Sequence, residues 1–386
     1  MSAPARHGRA NGAGDLAGPR PTSRRLSNNL RRSETGLLAL IVLITAVAAI
    51  ALPDFRTGLN INESLNNAAP IAIVAIGEAV VIVAREIDLS VGAILGLSAY
   101  LVGSAVGHFS GPIGPVLGVL MALGLGAALG LGNALLVNRA RMPAIIATLA
   151  TLSIYSGLQV IVTHGSQLYA SQVPTWLAGL RSDSWLGVGP FIWTAAICLI
   201  VASFLMRMTS FGRDIYALGS NPDAATYLGI RTQLRNFEAF AFCGALAGLG
   251  GLLYTSQYGN IDATAGNGFE LTVIAAAVIG GVSLFGGSGS PLSGVLGAIL
   301  LTEIENVLAL MRISIFAQQT LQGSAIVVAV AVYAVISRRL RRPVRREILL
   351  SGQPPGAHVT PPVPLSLAPV PSGVSSAELS VPPEGP

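Results

Sequence analysis

The chain has 386 residues, of which 52% are hydrophobic and only 11% charged, with a formal net charge of +5. That charged fraction is less than half the roughly 25% of soluble domains, and with a mean hydropathy of +0.66 it excludes an ordinary water-soluble fold and points to a bilayer. All 23 basic residues are arginine, so the chain can carry neither the lysine of a P-loop nor a Schiff-base lysine.

Residues 1–35 are rich in Arg, Gly, Pro and Ser without a hydrophobic stripe, and are expected to form a disordered cytosolic tail. No apolar stretch begins before Gly36, which argues against a cleaved signal peptide. A transmembrane domain is expected over residues 36–343, with ten candidate spans near 36–52, 70–84, 91–107, 115–137, 144–163, 190–207, 237–257, 269–285, 291–310 and 319–337. The expected fold is therefore an all-α polytopic membrane protein of about ten transmembrane helices, or eight if two short segments do not cross. With the N-terminus inside, the inner loops hold Arg85, Arg139, Arg141, Arg207, Arg213, Arg231 and Arg235, and the outer loops only Arg56, Arg181 and Arg312. Both Arg-rich ends then lie in the cytoplasm. From residue 344 to 386 the chain turns Pro- and Ser-rich and is expected to be a second disordered cytosolic tail. Cys198 and Cys243 fall in apolar segments, as small buried hydrophobes do.

Two segments, "PIAIVAIGEAVVIVA" and "LTVIAAAVIGGVSLF", are short for a crossing of roughly 20 residues, and each runs into a polar or glycine break. The helices that follow start alike, "LSVGAILG" and "LSGVLGAI". Paired interrupted helices in two halves point to a translocation site built from a weak internal duplication; two ordinary helical hairpins would read the same way.

Between the spans, residues 208–236 form a long hydrophilic loop. In "NPDAATYLGI", Asn221 and Pro222 can start a helix, Asp223 suits its first turn and Gly229 can end it. The product is a short helix on the cytoplasmic face, small-sided at Ala224 and Ala225, able to enter a groove on a partner. A loop helix without a partner has the same pattern.

Ionisable residues in spans are costly, about 2.5–3.5 kcal/mol each on insertion scales. Glu78, Glu303 and Glu305 lie within spans, and Glu303 shares a helix face with Asn306. Polyols are held by amides, carboxylates and hydroxyls, so Glu78, Asn133, Thr148, Gln257, Glu303 and Asn306, with Tyr254, are candidates for a substrate path. Hydrogen bonding between helices would use the same residue types. "GGSG" at Gly286–Gly289 matches the GxSG of rhomboid proteases, but no histidine lies in a span after Ser288 to act as base, and no Cys/His cluster suggests a metal. No catalytic residue is expected.

"REIDLSVGAILGLSAY", "MPAIIATLATLSIYSG", "FGRDIYALGSNPDAATYLGI" and "FELTVIAAAVIGGVSLFGGSGSPLSGVLGAIL", in that order, resemble the membrane permease subunits of bacterial ABC importers for monosaccharides, the ribose-type family. The resemblance spans about residues 60–335; "RMPAIIATLATL" and "LTEIENVLALMRI" bring it nearest the permeases for autoinducer-2, then rhamnose and ribose. The chain departs from the family in reading "AREIDLSVG" where "GGIDLSVG" is usual, and in its Pro-rich tail. The resemblance implies a permease without a cofactor of its own, ATP and Mg being bound by a separate ATP-hydrolysing subunit. It also implies a periplasmic or lipid-anchored solute-binding protein, a second permease copy or paralogue, a bacterial inner-membrane location and no role for nucleic acid. By the same resemblance Gly212, Arg213 and Gly219 join Asn221, Asp223, Ala224, Ala225 and Gly229 in a coupling loop, and Asp88 and Ser90 of "IDLSVG" join the path. Two other readings fit the residues: a secondary transporter driven by an ion gradient through Glu78 or Glu303, and an ABC permease for a solute other than a sugar.

Overall fold

The computed structural model describes residues 22–327 apart from 110, 315, 321–322 and 325–326, with side chains from residue 34. Among the described residues the chain is all-α, its β structure limited to isolated bridges at Leu168–Ile261 and Trp185–Val188. The helices are α1 (Thr22–Ala51), α2 (Gly58–Val83), α3 (Val91–Val106), α4 (Gly114–Arg139), α5 (Ala144–Thr163), α6 (Thr175–Gly179), α7 (Pro190–Met208), α8 (Ser210–Ser220), α9 (Pro222–Tyr227), α10 (Thr232–Tyr258), α11 (Phe269–Ile279) and α12 (Pro291–Leu310). Seven of them, α1, α2, α4, α5, α7, α10 and α12, are long and apolar enough to cross a membrane.

Nine of the ten expected spans thus have a helix. Of the tenth, over 319–337, Gln319, Thr320, Gly323, Ser324 and Val327 are helical and the remainder lies outside the described residues, as do residues 1–21 and 344–386. Two expectations need correction. Residues 22–35, expected in a disordered tail, are the first turns of α1. The segment over 70–84 is not short: it is the end of a 26-residue helix whose polar beginning, "GLNINESLNNAA", continues through Pro70. Thr57 caps that helix, its hydroxyl accepting from the Asn60 amide at 3.3 Å. The second segment is as short as expected, an 11-residue helix of about 16 Å.

Burial sorts the helices into two shells. α2 from Ala68 onward and α3 are enclosed almost throughout, with α10 beside them, while α1, α4, α5 and α7 keep a mostly exposed apolar face. Glycine and alanine decide which helices come closest. On α4, Ala122, Gly126 and Gly130 recur every fourth residue and meet Gly244 and Gly248 of α10. A Cβ added at Gly126 would stand 2.0 Å from the Gly244 carbonyl oxygen. Backbones in that near contact gain the dispersion energy that bulkier residues would forfeit in lipid. α12 packs along α2, and α11 wedges against both.

Candidate functional site

Three features concentrate polar groups or irregular backbone within this bundle. The first is the connection from α10 to α11, residues 259–268, which turns back into the helical layer. Its start is fixed by the bridge in which Leu168 and Ile261 exchange amide-to-carbonyl bonds of 2.8 and 2.9 Å. It then runs along α3. A Cβ at Gly96 would lie 1.9 Å from the Ala265 carbonyl oxygen, and one at Gly92 would lie 2.6 Å from that of Gly266. Gly92 precedes the end of α3 at Val106 by fourteen residues, about 21 Å of helix. Gln159, buried on α5, donates to the Asp262 and Ala265 carbonyls at 3.1 and 3.2 Å and so satisfies backbone that no helix or sheet pairs.

Non-helical backbone at such depth is tolerated where it is enclosed by protein or lines a wet cavity. Here a cavity of about 360 Å³ adjoins it, lined by Tyr254, Asn267, Phe269, Thr272 and Gln319 among others, none of its described lining residues being charged. Tyr254 meets Phe269 edge-on with ring centroids 6.4 Å apart. Gly266 and Gly268 have φ of +86° and +82°, which lets the chain reverse into α11. Of the expected path residues only Tyr254 is here. Asn267, Thr272 and Gln159 were not singled out from the sequence: "NIDATAGNG" has the composition of any solvent loop, and a lone Thr or Gln in an apolar helix carries no signal of its own.

The second feature is a buried knot at the joint between α2 and α3. Glu78, Asp88, Ser90, Asn133 and Thr148 are all fully buried. The Asp88 carboxylate accepts from the Ser90 amide at 2.9 Å, the Ser90 hydroxyl at 2.7 Å and Asn133 Nδ2 at 2.9 Å. Glu78 accepts from the Asp88 amide at 3.2 Å, and Thr148 donates to the Ile87 carbonyl at 3.2 Å. Tyr155 on α5 donates to the Leu129 carbonyl at 2.9 Å and reaches Asn133 Oδ1 at 3.4 Å. Five of the nine expected path residues therefore meet, in a closed network that ties α2, α3, α4 and α5 together. Besides Tyr254, the other three lie elsewhere. Gln257 hydrogen-bonds Asn67 and receives Arg181 on its carbonyl at 2.8 Å, while Glu303 and Asn306 line a separate cavity between α1, α2 and α12.

The third feature is the α8–α9 segment at the arginine-rich end. Asn221 caps α9, its side-chain oxygen accepting from the Ala224 amide at 3.1 Å; Pro222 and Asp223 fill the first turn, and Gly229 leaves at φ +79°. That is the local structure the sequence predicts. What precedes it is a further helix, α8, whose Gly212, Ile215, Leu218 and Gly219 are buried. Arg235 on α10 grips Asp214 through Nε and Nη2 at 2.9 and 2.8 Å and Glu238 through Nη1 at 2.6 Å, fixing α8 to α10.

The expected coupling residues divide by exposure. Gly212, Gly219 and Ala225 face inward, whereas Arg213, Asn221, Asp223, Ala224 and Gly229 are exposed. Ala225 is thus part of the anchor and not of a small outward surface. The outward apolar surface comes from Tyr227 and Leu228, 91% and 79% exposed, which the sequence reading passed over.

The end of α8 meets both short-segment breaks. A Cβ at Gly219 would stand 1.8 Å from the Val83 carbonyl oxygen and 2.5 Å from the Gly287 nitrogen. The Gly287 amide donates to that same Val83 carbonyl at 2.8 Å. Next to this junction, Glu86 accepts from Asn236 at 3.3 Å, and burial pushes its carboxyl from 4.5 up to about 7 despite that bond and nearby Arg85.

Over residues 60–336 the chain matches the family described as branched-chain amino acid transport system / permease component. Among curated proteins it is 36% identical to the autoinducer 2 import system permease protein LsrC of Yersinia pseudotuberculosis (serotype O:1b, strain IP 31758), over 84% of this chain and 89% of the relative. The protein of the same description from Yersinia pestis (strain Pestoides F) gives the same identity and coverage. No solved structure gives a significant match.

Proposed function

The chain belongs to the branched-chain amino acid transport system permease family, and from that premise we propose the solute, the path and the partners of the permease. It is the membrane-spanning permease of an ABC importer, a transport component. The solute we assign is autoinducer 2 or a sugar-like molecule of the ribose and rhamnose class. The observation that carries this choice is the cavity beside the 259–268 connection: amide, hydroxyl and aromatic groups face it, and its described lining has no charge. A zwitterionic amino acid would leave its carboxylate and ammonium without ionic partners there, at a cost of several kcal/mol. A neutral polyhydroxylated solute needs what is present, and the named relatives import autoinducer 2.

In the proposed cycle the arginine-rich end is cytoplasmic, as the positive-inside rule favours. A separate ATP- and Mg-binding subunit grips the exposed Tyr227–Leu228 edge of α9. A binding protein delivers solute at the opposite end, and a second permease, identical or paralogous, completes the pathway in the bacterial inner membrane. Pressure on α9 passes through α8 to the junction at Val83 and Gly287, moving α2 and α12 relative to α3 and α10. No bond in the solute is broken; the cavity changes sides as the two conformers exchange.

The test is uptake into proteoliposomes holding the permease, its ATPase and its binding protein. Labelled autoinducer 2 is expected to accumulate only with ATP, unaffected by a protonophore, and excess leucine is expected not to compete. Uptake without ATP that a protonophore stops would restore the secondary-transporter reading, and competition by leucine would overturn the solute assignment.

A further inference from the structure

A second cavity, of about 340 Å³, lies between α1, the Pro53–Arg56 turn, α2 and α12, apart from the proposed path. Its walls are largely aliphatic or aromatic, with Ile41, Phe55, Leu65 and Ile299 among them. Thr45, Arg56, Asn60 and Ser64 add polar groups to the lining, and two more come from one face of α12. Glu303 is 7% exposed; one carboxylate oxygen accepts from the Thr45 hydroxyl, and Oε2 has no hydrogen-bond partner among the described residues. Three residues on, Asn306 Nδ2 is buried and equally unpartnered. A buried polar atom without a partner costs about 1–3 kcal/mol, so two in one cavity call for an occupant.

Their chemistry defines it. Oε2 accepts and Nδ2 donates. One hydroxyl group can meet both, donating to the carboxylate and accepting from the amide. An ester carbonyl would serve only Asn306 and an ammonium only Glu303; a phosphate could be met by Arg56, which also lines the cavity, but would leave the Glu303 carboxylate unserved. Water could serve both, yet the volume is about ten times that of one liquid water, and water would leave the apolar part of the wall uncovered. A hydroxyl carried on a hydrocarbon chain fits polar pair and walls together. The surroundings agree: among the described residues α1, which closes the cavity on one side, is a peripheral helix packed chiefly on α12 and the turn before α2, with exposed apolar residues along much of its length. We infer that this cavity is a lateral binding site for a hydroxyl-headed single-chain amphiphile drawn from the bilayer, held through Glu303 and Asn306.

The experiment uses the full chain in lipid nanodiscs with a medium-chain monoacylglycerol bearing a diazirine, photolysed and mapped by peptide mass spectrometry. Labels are expected on α1, α2 and α12 around the cavity. Unlabelled monoacylglycerol should displace them, and the matching methyl ester, which lacks the hydroxyls, should not. Ala49→Trp, which fills the cavity from the peripheral helix, and the pair Glu303→Leu with Asn306→Leu should each lower labelling roughly tenfold, the equivalent of one lost hydroxyl clamp. A thermal melt of each variant establishes that it is folded. Labelling that the methyl ester displaces equally well, labelling indifferent to both variants, or no labelling at the cavity would overturn the inference, the last leaving water as the occupant.

Discussion

Glu86 shows how a single side chain can report on the packing around it. Its carboxyl sits where the α2–α3 linker meets the ends of α4 and α10, hydrogen-bonded to Asn236, which in turn approaches Asn138 at 3.5 Å. Burial holds its pKa near 7, above its ordinary 4.5, so folding favours the protonated form. The stability this gives is fully present below 4.5 and is lost as pH rises through about 7. The melting temperature of the purified permease is therefore expected to fall between about pH 5 and about pH 8, and Glu86→Gln to flatten that slope. Differential scanning fluorimetry in detergent measures it; an unchanged slope in the variant would show that other groups carry the dependence. In the sequence Glu86 stood out only as part of the departure from the family pattern and not as a buried acid, because a carboxylate in a linker normally points to water. Asn221 and Gly229 were legible, since a cap and a left-handed exit are local chemistry.

At the scale of elements, the junction of α8 with the two linkers gives the sharpest consequence. Gly219→Val would drive methyl groups into the Val83 carbonyl and the Gly287 amide, an overpacking of about 1–3 kcal/mol that the backbone can relieve only by moving. The variant is expected to insert and to bind its ATPase, yet to spend more ATP per solute imported. The ratio of phosphate released to solute accumulated in proteoliposomes checks this, and an unchanged ratio would remove the junction from the coupling route. The membrane-crossing pattern was readable from hydropathy, but the two interrupted helices were not both placed correctly. Hydropathy registers apolar runs, and the first half of α2 is polar and mostly exposed, tied to the rest where Asn66 reaches the Arg181 carbonyl at 3.3 Å and Glu63 pairs with Arg181 at 3.1 Å. The 259–268 connection escaped for the opposite reason. Its depth is set by Gly92, Gly96 and Gln159, each more than a hundred positions away in sequence from the residues it touches.

For the whole molecule, orientation is the property on which the proposed direction of transport depends. Both cysteines, Cys198 and Cys243, are buried, so the wild-type chain offers little background to a thiol reagent. Tyr227→Cys, on the most exposed edge of α9, is expected to react with a membrane-impermeant maleimide in inside-out vesicles and not in right-side-out ones. Reaction from the other side would invert the cycle. The bond from Gly287 to Val83 bears on timing as well as direction. Because α8 abuts the exit of α2 and the entry to α12 at one point, a stroke arriving there reaches both early and late parts of the chain at once. The two parts then have a common clock, and solute should never find the barrel ajar at both ends merely because one part lagged behind the other.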